Sequence, residues 1–488
     1  MRDKRSAKHN LIMNYILQIS NFIFPLITYP YITRVLGADS LGKVSFANSI
    51  TTYFAAVATF GITTYAVRTC AKVRDNRQKL MRTTQELMLA NGVTTLIAAI
   101  LLVIIVVVVP KFREQWCLML VFGVSVVTEF LGMNWFYTSL EQFRYITARS
   151  IVFKLLSLIL IILLVRSTSD YMIYAAITVF AIVGSNVVNF LHCRKYIDLK
   201  LEGPYQIRKH YHYTKWFFVQ SVAMTLFFNM DVTMLGFLST NSQVGNYEIA
   251  LKIKYLLSTL VSSLGILFLP KLSNDYAEKN MDSYWHTVYK SLRYICFIAI
   301  PMVGIVWLES GDMIYLLCGE GYELAENILR GLVVVVVLIG LTTVTGTQIL
   351  ISMEKEKCVF VSILGGSVVN FVMNAVFIPR YHAMGATMAT VFSEIVVLAI
   401  QLFFIRKQNV RLHILSIMRK PMVGSILAFA GVLAGSQFIQ KIGLLRLILL
   451  AGLYGVIYAG VLFAVKEEIF MELVNMVLRR GKNERYRK

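Results

Sequence analysis

Apolar runs of about 20 residues, the length a helix needs to cross a bilayer, recur from one end of this 488-residue chain to the other. Nothing else in the sequence constrains the fold so strongly. A segment inside hydrocarbon must satisfy its own backbone N–H and C=O groups, so only helices and closed barrels span membranes. The dyad alternation of an outer-membrane barrel is absent. Charged residues make up 15% of the chain, against roughly 25% in an average soluble protein, so an ordinary soluble globule is excluded. The expectation is an all-α polytopic membrane protein with about 14 spans.

A formal net charge of +21 invites nucleic acid as a partner, but its placement argues against one. Most Lys and Arg gather in alternate short connections, 68–82, 194–215, 271–293 and 406–420, and in the tail 466–488. That is the positive-inside pattern, and it predicts both termini in the cytoplasm. The basic N-terminal stretch lacks a small-residue cleavage site, so the first helix is expected to be retained. Cys70, Cys117, Cys193, Cys296, Cys318 and Cys358 are scattered and read as free thiols. No phosphate-binding loop, catalytic triad or metal-ligand spacing is present, so neither an enzyme nor a cofactor is expected.

The chain is internally repeated. The segment G-K-V-S-F-A-N-S-I from Gly42 matches G-N-Y-E-I-A-L-K-I from Gly245, aligning Ala47 with Ala250 and Ile50 with Ile253. The same offset carries the first six apolar runs onto the next six. Because six is even, both halves keep one orientation, which predicts a parallel repeat with a substrate path between two bundles. The expected organisation is a six-helix lobe over 1–191, a cytoplasmic linker over 192–215, a second six-helix lobe over 216–405, extra helices 13 and 14 over 406–465, and a basic tail over 466–488. The tail has an amphipathic character that suits the inner membrane face.

Ionisable residues inside spans are costly and mark functional sites by default. Arg34, Arg330 and Arg446 fall at outer span ends, where Arg446 reads as an interfacial anchor. Lys154 lies one turn from an inner end. Asp231 and Lys252 reach similar depth on consecutive helices and are expected to pair, either as a neutral lock or as a cation facing an anionic substrate group. Lys252 and Lys254 lie about 200° apart around a helix and cannot share one cavity. Glu129 and Glu394, near mid-span, are coupling-ion candidates, with a hydrogen-bonded carboxyl as the alternative. Pro25 and Pro30 are either a static kink or a hinge. Tyr29, Tyr31, Trp135, Phe136 and Tyr137 read as an interfacial aromatic belt, with a ring platform against which sugars stack as the alternative.

These motifs resemble a known family. P-Y-I-T-R-V-L-G from Pro30, the two repeated Gly segments, F-G-I from Phe60 leading to Arg68, L-G at Leu235, P-K-L-S from Pro270, G-E-G-Y-E-L-A from Gly319 and A-M-G-A-T-M-A-T from Ala383 occur in the order of the Wzx-type polysaccharide transporters. These are flippases of the multidrug/oligosaccharidyl-lipid/polysaccharide exporter superfamily, and the resemblance covers essentially the whole chain. It implies alternating access by two six-helix bundles. The implied cargo is a polyprenyl-diphosphate oligosaccharide, moved from the inner to the outer leaflet of a bacterial cytoplasmic membrane for O-antigen, capsule or exopolysaccharide assembly. H+ or Na+ coupling, membrane lipid, and polysaccharide polymerase and chain-length partners come with that reading. Arg34 matches the family's Arg before V-L-G, and Lys252 its A-x-K-I lysine. Related readings are a multidrug cation antiporter, whose acidic walls Glu129, Asp231 and Glu394 would supply, and a peptidoglycan lipid-precursor flippase. A membrane polymerase or ligase would want a sizeable external loop, and every expected external loop is short.

Overall fold

A backbone that finds no water in the bilayer closes its hydrogen bonds along its own axis, and the chain does so in helix after helix. The computed structural model describes residues 4–198, 204–436 and 443–485. Residues 1–3, 199–203 of the expected linker, 437–442 at the end of the expected thirteenth span and 486–488 of the tail lie outside the described residues. Two units emerge from the packing, Met1–Gly245 and Asn246–Lys488.

The first unit holds α1 (Lys4–Thr59), α2 (Ile62–Val73), α3 (Arg77–Val108), α4 (Pro110–Glu114), α5 (Trp116–Val127), α6 (Glu129–Gly132), α7 (Asn134–Ser139), α8 (Phe143–Leu164), α9 (Tyr171–Cys193) and α10 (Ile207–Leu238). Its organiser is α1, which packs against α3, α5, α8 and α10. The first turns of α10 are fastened to α3: His210 Nε2 lies 2.9 Å from Glu86 Oε2, the Gln206 N–H donates to Glu86 Oε1 at 3.1 Å, and Tyr211 OH donates to Ala90 O at 2.8 Å.

α11 (Asn241–Ala277) leads into the second unit, which continues with α12 (Met281–Cys318), α13 (Glu323–Leu332), α14 (Val334–Thr342), a π-helical stretch (Thr343–Ile351), α15 (Glu356–Arg406), α16 (Ile414–Ser436), α17 (Leu444–Ala464) and α18 (Glu468–Arg485). α12 carries α13, α14, α16 and α17, while α15 packs on α13, α14 and the π-helical stretch.

Among the described residues, 11 helices are long and apolar enough to cross a membrane, or up to 12 when the bent pair at Trp116–Ser139 counts as one span. The sequence expectation of about 14 takes α1 and α15 as two spans each. These helices run for 56 and 51 residues and carry internal breaks at Gly37 (φ 73°) and His382 (φ 49°). Large apolar side chains such as Leu96, Val103, Val108, Leu163 and Val456 stay exposed, as they would in contact with lipid rather than water. The six cysteines are free.

Two sequence expectations change here. Trp135, Phe136 and Tyr137 are buried in the core of the first unit, not arrayed as an interfacial belt. The cause is Met133, whose left-handed backbone turns the following segment inward. The tail is also more than a lipid-facing helix: Lys290 Nζ lies 2.7 Å from Glu472, and Arg293 pairs with Glu468, which docks α18 on α12 over a shallow cavity.

Candidate functional site

A break in one span shapes the polar interior of the first unit. α5 and the α6–α7 segment meet at a 41° bend. Breaking a helix frees carbonyls that hydrocarbon cannot satisfy. α9 supplies donors: Asn189 Nδ2 donates to Gly132 O, and Asn186 Nδ2 adds a second bond, at 3.3 Å, to Thr128 O, which also accepts from the Leu131 N–H at 3.0 Å. Asn134 Oδ1 accepts from Asn189 Nδ2 at 3.2 Å and from the buried Arg149 Nη2 at 2.9 Å. Glu129 is the first residue of α6, half-buried at this break.

Lys154 of α8 reaches α1. Its Nζ donates to Ser20 Oγ at 2.8 Å and to Asn21 Oδ1 at 2.5 Å, and it lies 5.8 Å from the centre of the Phe24 ring. These partners are neutral, and no carboxylate pairs with Lys154 among the described residues. Pro25 removes the backbone N–H that would bond the Asn21 carbonyl, so the lysine's contacts and the weakened turn coincide. α1 nevertheless stays helical through Pro25 and Pro30, with its break at Gly37. Thr28 Oγ1 donates to Phe24 O at 3.0 Å, Thr33 Oγ1 to Tyr29 O at 2.7 Å and Arg34 Nη1 to Pro30 O at 3.2 Å, bracing the proline turns. Arg34 is exposed. Asp231 of α10 is buried and within electrostatic reach of Tyr53 of α1, whose hydroxyl accepts from Thr233 Oγ1 at 3.1 Å.

In the second unit Lys252 has a partner the sequence reading missed. Its Nζ lies 2.9 Å from Glu248 Oε1, one turn earlier on α11. The Glu-to-Lys spacing of four residues was the available signal. Lys252 is half-exposed and Lys254 buried, its Nζ 4.3 Å from the centre of the Tyr255 ring, so the two do face apart. Glu394 of α15 is buried one turn beyond Thr390, which shares a hydrogen bond of 3.0 Å with Tyr247 OH. Asn374 Nδ2 donates to Asn370 Oδ1 at 3.0 Å on the same helix.

Two arginines placed at outer span ends are engaged inside the protein. Arg330 lies 2.5 Å from Glu326, donates to Ser310 Oγ at 2.9 Å and stacks 5.2 Å from the Trp307 ring centre. Arg446, expected as an interfacial anchor, is engaged by a partner: its Nη1 lies 3.0 Å from Oδ2 of the buried Asp312. Glu326, four residues before Arg330 on α13, is readable from local spacing, whereas Asp312 and Ser310 come from α12 and are not.

Comparison with known proteins agrees with this architecture. The profile of the family described as polysaccharide biosynthesis protein matches residues 7–274, and that of the MatE family matches residues 217–376. A protein of Escherichia coli (strain K12) named "Putative O-antigen transporter" is 22% identical over 409 residues, covering 83% of this chain and 98% of the relative. Among solved structures, the lipid II flippase MurJ in an inward closed conformation superposes with a TM-score of 0.76 at 14% identity, covering 96% of this chain and 99% of that one. An inward-facing multidrug-resistance MATE transporter gives a TM-score of 0.61 at 14% identity over 81% of this chain and 95% of its own. With its membrane-spanning helices and its match over more than half its length, the chain belongs to the polysaccharide biosynthesis protein family, as a multi-pass membrane transporter and not an enzyme.

Proposed function

We propose that this chain is a flippase that moves a polyprenyl-diphosphate-linked oligosaccharide, an O-antigen, capsule or exopolysaccharide repeat unit, from the inner to the outer leaflet of the bacterial cytoplasmic membrane. The observation that carries the reading is Lys154, a cation on a membrane helix whose hydrogen-bond partners among the described residues are the neutral oxygens of Ser20 and Asn21. A lysine without a counter-ion in low dielectric is a strong site for an anion, and a lipid diphosphate is an anion that must pass through the membrane region. Arg34, Lys252, Asp231 and Arg330 complete the proposed substrate-binding set, with Lys252 able to leave Glu248 for a stronger anion.

The transport cycle in this reading is alternating access by six-helix lobes over 1–191 and 216–405, joined by the linker 192–215 and followed by helices 13 and 14 over 406–465. Pro25 and Pro30 serve as the hinge, and Glu129 and Glu394 as carboxyls for a coupling H+ or Na+. Both termini are cytoplasmic, and a polymerase and a chain-length protein receive the product. The name of a relative supports this reading: it is a "Putative O-antigen transporter".

The deciding experiment reconstitutes the full chain in liposomes containing a polyprenyl-diphosphate oligosaccharide on one leaflet and follows its arrival on the other, with imposed proton or sodium gradients. Transport abolished by Lys154→Ala supports the reading. Absence of lipid transport, in vesicles where the same preparation exports cationic dyes, replaces it with a multidrug antiporter.

A further inference from the structure

α12 carries two carboxyls that the proposed transport site does not use. Glu309 and Asp312 lie three residues apart, hence on one face of the helix, and are 4% and 6% exposed. The first residues of α17 bring Arg446 against them: its Nη1 donates to Asp312 Oδ1 at 3.2 Å and lies 3.0 Å from Oδ2. The i,i+3 spacing sets the Glu309 and Asp312 side chains side by side on that face. Glu309 Oε2 is fully buried and has no hydrogen-bond partner.

We propose that Glu309, Asp312 and Arg446 form a proton-binding site in which two buried carboxyls share one proton beside a single guanidinium.

The argument is a charge count. Ionised, the two carboxylates and one guanidinium sum to one uncompensated negative charge in a place that excludes water, which is strongly unfavourable. Two ionised carboxylates in contact also have only acceptors to offer each other. One proton removes both faults: it restores neutrality and lets Glu309 donate an O–H to Asp312, while Asp312 keeps its pair with Arg446. When the proton leaves to water, Glu309 becomes a second claimant on Arg446.

The surrounding elements do not supply the missing charge. α13 brings Glu326 and Arg330, but these pair with each other at 2.5 Å, and Arg330 turns to Ser310 and Trp307. α14 has no ionisable side chain, and the charged residues of α16, Arg419 and Lys420, both lie in its first turns. α17 otherwise offers Tyr454, whose hydroxyl is occupied by Ser425 at 2.6 Å. The site therefore ties a proton to the seating of α17 on α12. Its ligand is the proton itself, and it stands whatever cargo the transporter carries.

Infrared spectroscopy of the full chain in lipid nanodiscs tests this through the C=O stretch of protonated carboxyls, identified by its H2O-to-D2O shift. Difference spectra, wild type minus variant, isolate the site from other carboxyls. Glu309→Gln is expected to remove one protonated carboxyl at neutral pH. Asp312→Asn is expected to remove the same band, because the single remaining carboxyl then pairs with Arg446 as a carboxylate. Arg446→Gln should do the opposite and raise the site's signal about twofold, since both carboxyls then hold protons. Should Glu309→Gln fail to fold, the Asp312→Asn and Arg446→Gln spectra make the same test with opposite signs. Difference spectra of Glu309→Gln and Asp312→Asn that both lack the band overturn the proposal, as does an unchanged or smaller band in Arg446→Gln.

Discussion

Gly42 and Gly245, the two glycines that anchor the internal repeat, face each other's backbones. A Cβ on Gly42 would fall on the carbonyl of Asn241 and come 3.0 Å from the Gly245 nitrogen, and a Cβ on Gly245 would fall on the carbonyl of Ala38. The relationship is reciprocal, so the duplicated residue lets two duplicated turns cross at backbone contact. Gly42→Val and Gly245→Val are each expected to lower stability by at least about 1–3 kcal/mol, because the obstacle is backbone and cannot rotate away. Gly92, which has open space at its Cβ position, gives the control: Gly92→Ala should stay within about 1 kcal/mol of wild type or exceed it. Thermal unfolding in detergent measures all three.

Asn189 closes the Gly132 carbonyl at the broken span, and Asn186 adds a second bond to the Thr128 carbonyl. Replacing Asn189 with Leu keeps the branched shape and removes the donor to Gly132 O. The expected loss is about 1–3 kcal/mol, the cost of an unsatisfied buried acceptor. Hydrogen exchange should accelerate in α6 and α7 first, ahead of α12, and equal acceleration everywhere would contradict a local capping role.

His210 fastens α10 to α3 through Glu86. His210→Leu leaves the Glu86 carboxylate short of a partner in a buried position, and a loss of about 1–3 kcal/mol is expected. Amide exchange in the opening turns of α10 reports it. Unchanged protection there would show that Gln206 and Tyr211 hold the join alone.

Lys252 and Glu248 are a half-exposed pair one helical turn apart. A double-mutant cycle through Glu248→Gln and Lys252→Met should give a coupling of only about 0.3–0.5 kcal/mol in stability. A much larger coupling would mean that the pair is a structural lock, and would remove Lys252 from the proposed substrate-binding set.

The helical architecture was legible because the bilayer allows so few alternatives: apolar runs of spanning length must become helices. The Gly-marked turn between Tyr29 and Ile50 was legible for the same reason, and the backbone breaks at Gly37 within it. The bend at Trp116–Ser139 was not. Met133 adopts its left-handed conformation without a Gly or Pro to announce it, and the compensating asparagines lie on α9, far along the chain. Intramembrane charges could be located by depth, but their partners could not be assigned. Glu248 is an exception, since its four-residue spacing to Lys252 marks the pair. Asp312 is beyond any local rule, since only the packing of α17 on α12 brings Arg446 to it.

In the proposed transport cycle, Lys154 and Lys252 differ in what an arriving anion must undo. At Lys252 the newcomer competes with a carboxylate that returns as soon as the site empties. At Lys154 it displaces only a hydroxyl and an amide oxygen, groups that hold a cation without cancelling its charge. Such a site exchanges quickly, because neither arrival nor departure has to separate or rejoin an ion pair. A carrier gains turnover from a grip of that kind, firm enough to draw a charged headgroup out of its hydration and loose enough to surrender it on the far side.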